Sequence, residues 1–145
     1  MTQELFNTIA QTLQEKVDYL QGLILDLRNS NSETKSSMGD KYETSREMMQ
    51  QEITRIQNQL NEVLIQQEQF KKIVIKKHDT IALGSYVETS MGNFCIAISL
   101  GEIDYNSKKL FVLSPITPLA KLLIGKKLGD EVYLNGKMIK ITCME

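Results

Sequence analysis

Proline is missing from the whole first half of this chain and occurs only at Pro115 and Pro118. A proline inside a helix costs about 3 kcal/mol or more, so nothing of that kind interrupts residues 1–75. Histidine and cysteine are nearly as scarce. His78 is the single histidine, and Cys95 and Cys143 stand far apart. That spacing gives no zinc-ligand pattern and no disulfide framework, and it fits a reduced, cytoplasmic compartment. No stretch approaches the roughly 20 apolar residues of a membrane span. The opening MTQELFNTIAQ lacks the basic start and apolar run of a signal peptide. The formal net charge is -1, so no global field drives the chain onto nucleic acid or an anionic membrane. Residues 1–72 carry 8 basic and 11 acidic side chains and residues 73–145 carry 9 and 7, an asymmetry too small to name a partner.

What the first half does contain is a heptad seam. Phe6, Ile9, Leu13, Val17, Leu20, Ile24 and Leu27 recur in steps of 3, 4, 4, 3, 4 and 3. Met49, Ile53, Ile56, Leu60, Val63 and Phe70, with Gln67 filling a gap, step by 4, 3, 4, 3, 4 and 3. Glutamine and charge occupy the other faces, as in a coiled coil. Pairing Leu27 with Met49, or residue 4 with residue 72, centres on residue 38 in both cases. The spacing therefore predicts an antiparallel helical hairpin over residues 1–75, its tip near 36–41, within the polar stretch from Asn29 onward.

From residue 76 the pattern changes to short strands. Ser85–Thr89 and Asn93–Ser99 flank Ser90-Met91-Gly92, and Lys109–Leu113 forms another apolar run. Pro115 and Pro118 open a short helix through Leu123, with Ser114 as its expected cap and Gly125 as its stop. Asp130–Leu134 and Lys137–Cys143 flank Asn135-Gly136, a strong hairpin signal. The expected class is α+β: a long antiparallel coiled-coil hairpin, then, over residues 76–145, a small antiparallel sheet with one short helix. Phe94, Phe111 and Tyr133 read as core, Cys95 as buried packing, and Met38, Met48 and Met49 as adaptable packing at the hairpin end.

The tip reads in two ways. Asp40 and Glu43, three residues apart, form a capping box, with Asp40 at N-cap, Glu43 at N3 and Gly39 in the turn. The same spacing sets two hard oxygen donors on neighbouring faces at the end of a rod. Two carboxylates alone hold Mg²⁺ weakly, because that ion keeps its waters and wants further ligands. Such a tip works only by completing a site that another macromolecule has half built. Lys35, Lys41 and Arg46 are near enough to meet phosphate, or are plain solvated charge.

The Gly-Asp-x-x-Glu of Gly39–Glu43 at the tip of a coiled coil resembles the bacterial GreA/GreB transcript cleavage factors. The segment LSPITPLAKLLIGKKLGDEVYLNGKMIKI, Leu113–Ile141, is similar to that family's Ser-Pro, short helix ending Leu-Ile-Gly-Lys, Gly-Asp-x-Val and final hairpin. The resemblance implies an FKBP-like C-terminal domain that docks on RNA polymerase, with Ser114 and Pro115 near the contact. It implies a coiled coil threaded down the secondary channel toward the 3′ end of the nascent RNA. There Asp40 and Glu43 would help hold a Mg²⁺ shared with the polymerase, and Lys35, Lys41 and Arg46 would lie beside RNA or polymerase. On that reading the protein is a cytoplasmic monomer and not itself an enzyme; it stimulates the polymerase's own cleavage of backtracked RNA. The family usually continues past its tip with Asn-Ala-Glu-Tyr, whereas Thr44-Ser45-Arg46 follow Glu43 here, and Leu113 stands where Asp or Asn often precedes Ser-Pro. Two alternatives therefore stay open: a non-catalytic regulator of the same channel, and a coiled-coil adaptor unrelated to polymerase.

Overall fold

The computed structural model describes residues 1–34 and 43–145, the side chains of residues 31–34 left aside. The expected tip and cap at 36–41 therefore lie outside the described residues. Helix α1 runs Gln3–Thr34 and helix α2 runs Glu43–Lys71. Their 32 and 29 residues make helices of about 48 and about 44 Å at about 1.5 Å per residue. The seam is what buries: Val17 and Ile24 of α1 cluster with Ile53, Ile56 and Leu60 of α2, and Leu20, Leu23, Leu27 and Val63 pack against them. Each such side chain contributes about 1.5–3 kcal/mol on burial. The pairing is antiparallel. Gln67 Nε2 donates to Gln14 Oε1 at 3.1 Å, and the Phe6 and Phe70 rings stack. Gln67, the polar member of the seam, is thus satisfied by a partner on the other helix. Met48, expected as packing, is 65% exposed, because position 48 falls one residue off the seam that Met49 and Ile53 follow.

The chain divides into two compact units. One holds Gln11–Glu68, the middle of both helices; the other joins Met1–Ala10 to Gln69–Glu145. In the second unit, strands β1 (Tyr86–Thr89), β2 (Gly92–Ile96), β3 (Gly101–Tyr105), β4 (Lys108–Leu113), β5 (Glu131–Leu134) and β6 (Lys137–Met144) form one sheet in the order β3-β4-β2-β1-β6-β5. Every neighbouring pair is antiparallel except β2 and β4, which run parallel with Phe94 opposite Phe111 and Ile96 opposite Leu113. The short helix α3 (Pro118–Leu123) lays Ala120 and Leu123 on Val87, Phe94, Ile96, Val132, Ile139 and Ile141. Leu5 and Ile9 of α1, Phe70 of α2 and Ile73 just beyond it join the buried interior of the same unit.

Several expectations change at this level. The cap of α3 is Thr117, whose Oγ1 accepts from the Ala120 amide at 3.3 Å; Ser114 is not the cap, because Pro118 occupies the first helical position and makes Thr117 its predecessor. Gly125 does close the helix, with φ +87. Strand β3 has no counterpart in the sequence reading. Phe111 is 38% and Tyr133 66% exposed, so neither is core in the way that Phe94 is. Tyr133 alternates outward from Val132 on an edge strand, where an aromatic needs no cover.

Candidate functional site

Two of the residues expected at the working end fall among the described ones. Glu43 stands in the first turn of α2 and is exposed; Arg46, three residues on, is half-buried. Residues i and i+3 of a helix are neighbours on its surface, so the carboxylate and the guanidinium share one side of the hairpin end. An acid in the first turn also meets the positive end of the helix dipole, worth about 0.3–1 kcal/mol at an exposed position. Asp40, Lys35 and Lys41 lie outside the described residues. One turn beyond Arg46, Glu47, Gln50, Gln51 and Thr54 line a shallow depression. Further along, Arg55 grips Glu52 through two of its guanidinium nitrogens, Nε at 2.9 Å and Nη2, and that hydrogen bonding holds the Glu52 carboxyl below its ordinary range. Glu52 is therefore an occupied carboxylate.

Ser114 and Pro115 sit in the turn between β4 and α3. The Ser114 carbonyl accepts from Thr117 twice, from its amide at 3.1 Å and its hydroxyl at 2.9 Å, and Ser114 Oγ accepts from the Ile116 amide at 3.4 Å. These bonds hold a tight loop whose crown is Ile116, 76% exposed. Ile116 is a feature that sequence reasoning passed over, since one apolar residue between two prolines shows no periodicity. Ser114 and Pro115 belong to one compact unit, Glu43 and Arg46 to the other.

The chemistry of the donor set bears on Mg²⁺. Among the described residues no three His, Cys, Asp or Glu side chains gather as a metal cage. Glu43 is an exposed hard-oxygen donor, which suits a contribution to an ion held mostly by others.

A cleft elsewhere was not singled out by sequence. Met1, Thr2, Ile75, Lys76, Lys77, His78, Asp79, Met144 and Glu145 line a space of about 630 Å³. The Met1 ammonium donates to the Gly84 carbonyl at 2.8 Å and the Glu145 carbonyl at 3.3 Å. Burial holds that ammonium's pKa below its ordinary value. His78 Nε2 is buried without a hydrogen-bond partner. Its imidazole is held below the usual histidine range by burial, then by the Met1 ammonium and Lys76. The sequence signal was the run Lys71-Lys72 and Lys76-Lys77-His78, which carries four lysines with no acid before Asp79.

No family model matches the chain, and no curated protein matches it. Among solved structures it is similar to the transcription factor Gfh1, at 15% identity over 93% of this chain and 92% of that one, with a TM-score of 0.37. It is also similar to Thermus aquaticus Gfh1, at 18% identity over 92% of each chain with a TM-score of 0.36. A third is the GreA factor homolog 1 (Gfh1) of Thermus thermophilus, at 18% identity over 98% of this chain and 93% of that one, again with a TM-score of 0.36. At such identities and superpositions these likenesses assign no activity.

Proposed function

We propose that this protein is a transcription elongation factor that binds RNA polymerase, enters its secondary channel with the helical hairpin, and stimulates cleavage of backtracked RNA. The observation that carries the reading is an exposed acid, Glu43, in the first turn of α2, on a two-helix hairpin whose seam is satisfied within the chain. A surface coiled coil that paired with another chain through its seam would keep that apolar stripe unfilled; here the seam is spent on the partner helix. The Gly39–Glu43 and Leu113–Ile141 motifs supply the identity of the partner by their resemblance to the GreA/GreB factors.

In this reading Glu43, together with Asp40, donates carboxylate oxygens to a Mg²⁺ that the polymerase also holds. When bound, that ion supplies the charge stabilisation and water activation of two-metal phosphodiester hydrolysis. The chain's own contribution is position. The helix pair carries the acids, Arg46 offers a charge beside Glu43, and Ser114-Pro115 with Ile116 presents a contact loop from the sheet unit. The polymerase remains the enzyme.

The test uses the cognate polymerase, halted and backtracked, with the full chain added. Shortened RNA is expected with the native protein, and none with Asp40→Ala or Glu43→Ala, while both variants still bind polymerase. Cleavage that survives both substitutions would make the acids helix caps and nothing more. Slowed synthesis without cleavage at any Mg²⁺ concentration would instead favour a non-catalytic regulator of the same channel, a reading motivated by Thr44-Ser45-Arg46 after Glu43.

A further inference from the structure

The cleft beside His78 has the size and the wall chemistry of a small-molecule site. About 630 Å³ falls within the roughly 300–1,000 Å³ of ligand pockets. Its lining combines two lysines adjacent in sequence, Lys76 and Lys77, with the apolar residues Ile75, Met1 and Met144. We propose that this cleft binds a nucleotide-sized phosphate ester, with the phosphate on Lys76 and Lys77 and the apolar or aromatic body against Ile75 and Met144.

Three observations carry this assignment. The lysines are presented by chain that is neither helix nor strand after Lys71, and both are exposed. Lysine ammonium groups there reach a phosphate as point charges without demanding a fixed fork geometry. The wall behind them is fixed. Gly84, at φ +92, lets Ile73, Val74 and His78 come within 3.0–3.6 Å of where a Cβ would stand, and its carbonyl holds the Met1 ammonium. The cleft is thus pre-formed, which lowers the ordering cost of binding. Finally, the charges that act on the half-buried His78, beyond burial itself, are cations, the Met1 ammonium and Lys76. An entering dianion offsets both and lets the imidazole take up a proton.

The acids on the same wall define the ligand further. Asp79 and Glu145 line the same cleft as the lysines. They repel a long polyanion that must run past them and tolerate a compact one that stops at the lysine pair, so a small phosphate ester is favoured over a nucleic-acid strand. The assignment stands apart from polymerase binding, and its test uses no polymerase.

The full chain is titrated with a nucleoside monophosphate, with orthophosphate, and with an oligonucleotide lacking terminal phosphates, while backbone amide shifts are followed. The monophosphate is expected to move the amides of residues 75–79 and 144 and to bind more tightly than orthophosphate. Lys76→Ala and Lys77→Ala are each expected to weaken it roughly tenfold. Both lysines are exposed, so their variants should keep the native amide spectrum. No shift at 75–79 at about 1 mM monophosphate, or shifts indifferent to both lysines, overturns the site. Orthophosphate binding as tightly as the monophosphate overturns the role of the apolar wall, and tighter oligonucleotide binding overturns the small-ligand assignment.

Discussion

Phe6 and Phe70 stack with ring centroids 4.5 Å apart and planes 20° from parallel, and they do so inside the sheet-containing unit. Phe70 is 1% exposed, so the ring from the last turn of α2 is core to a unit made mostly of strands. Phe70→Ala should therefore cost about 3–5 kcal/mol, the range for a buried Phe→Ala. Phe6→Ala, at a half-buried position, should cost less. Urea denaturation followed by circular dichroism measures both; equal, small losses would mean the stack carries little.

The first turn of α3 offers a paired comparison. Thr117→Ala removes the side chain that receives the Ala120 amide and should cost about 1 kcal/mol. Ser114→Ala loses only a 3.4 Å contact to the Ile116 amide and should stay within about 0.5 kcal/mol of the native protein. If the two losses came out in the opposite order, the assignment of Thr117 as the cap would be wrong.

Gly84 is buried at φ +92, and an added Cβ would stand 3.0 Å from Ile73 Cγ2. Gly84→Ala should destabilise by roughly 1–3 kcal/mol, from backbone strain alone before any crowding is counted. The same change should disturb the Met1 contact, since the Gly84 carbonyl receives that ammonium. A thermal melt and the amide spectrum of residues near Met1 read the two effects separately.

Stability should fall toward both ends of the pH scale, for opposite reasons. His78 has a folded pKa below its ordinary 6.5, so the unfolded chain takes the proton first as pH falls. The contribution is complete above about pH 6.5 and declines below it, down through the depressed folded value. Cys95 is the reverse case: burial pushes its thiol up to about 12 from 9.0. The unfolded chain loses that proton first as pH rises, so stability declines from about pH 9 upward through about pH 12. Chemical denaturation across pH should show the acid limb flattened in His78→Gln and the alkaline limb flattened in Cys95→Val. An unchanged limb in either variant assigns that limb to other groups.

The long helices were legible because burial follows one period. Ile9, Leu13, Val17, Ile24, Ile53, Ile56, Leu60 and Phe70 repeat at seam spacing, and all are buried. The β5–β6 hairpin was legible from Asn135-Gly136, whose φ values of +51 and +77 are those that this dipeptide favours in a tight turn. The hairpin of β3 and β4 turns through Asn106 and Ser107 at φ +51 and +63, and serine gives no such signal. Charges at Glu102 and Asp104 hid the strand itself. They are affordable only because β3 is an edge, where Lys109 reaches both carboxylates at 3.4 and 2.8 Å. The parallel pairing of β2 with β4 was not readable at all, since it is fixed by where the β3–β4 hairpin docks. Of the candidate site, the acid in the first turn of α2 was visible as a motif. The cleft was not, because Met1, Lys76, Gly84 and Met144 meet only after folding.

The central strand β1 is flanked by β2 on one side and by β6 on the other, and the same unit takes in Met1–Ala10. A chain emerging from the ribosome can zip its helices as soon as α2 is clear, because both halves of that seam are then available. The first ten residues must wait: the unit in which Leu5 and Ile9 are buried lacks one of the two neighbours of β1 until β6 has been synthesised. Premature termination within that strand should thus release a product with a formed helical stalk and a sticky, half-zipped remainder, a natural target for proteases that survey nascent chains.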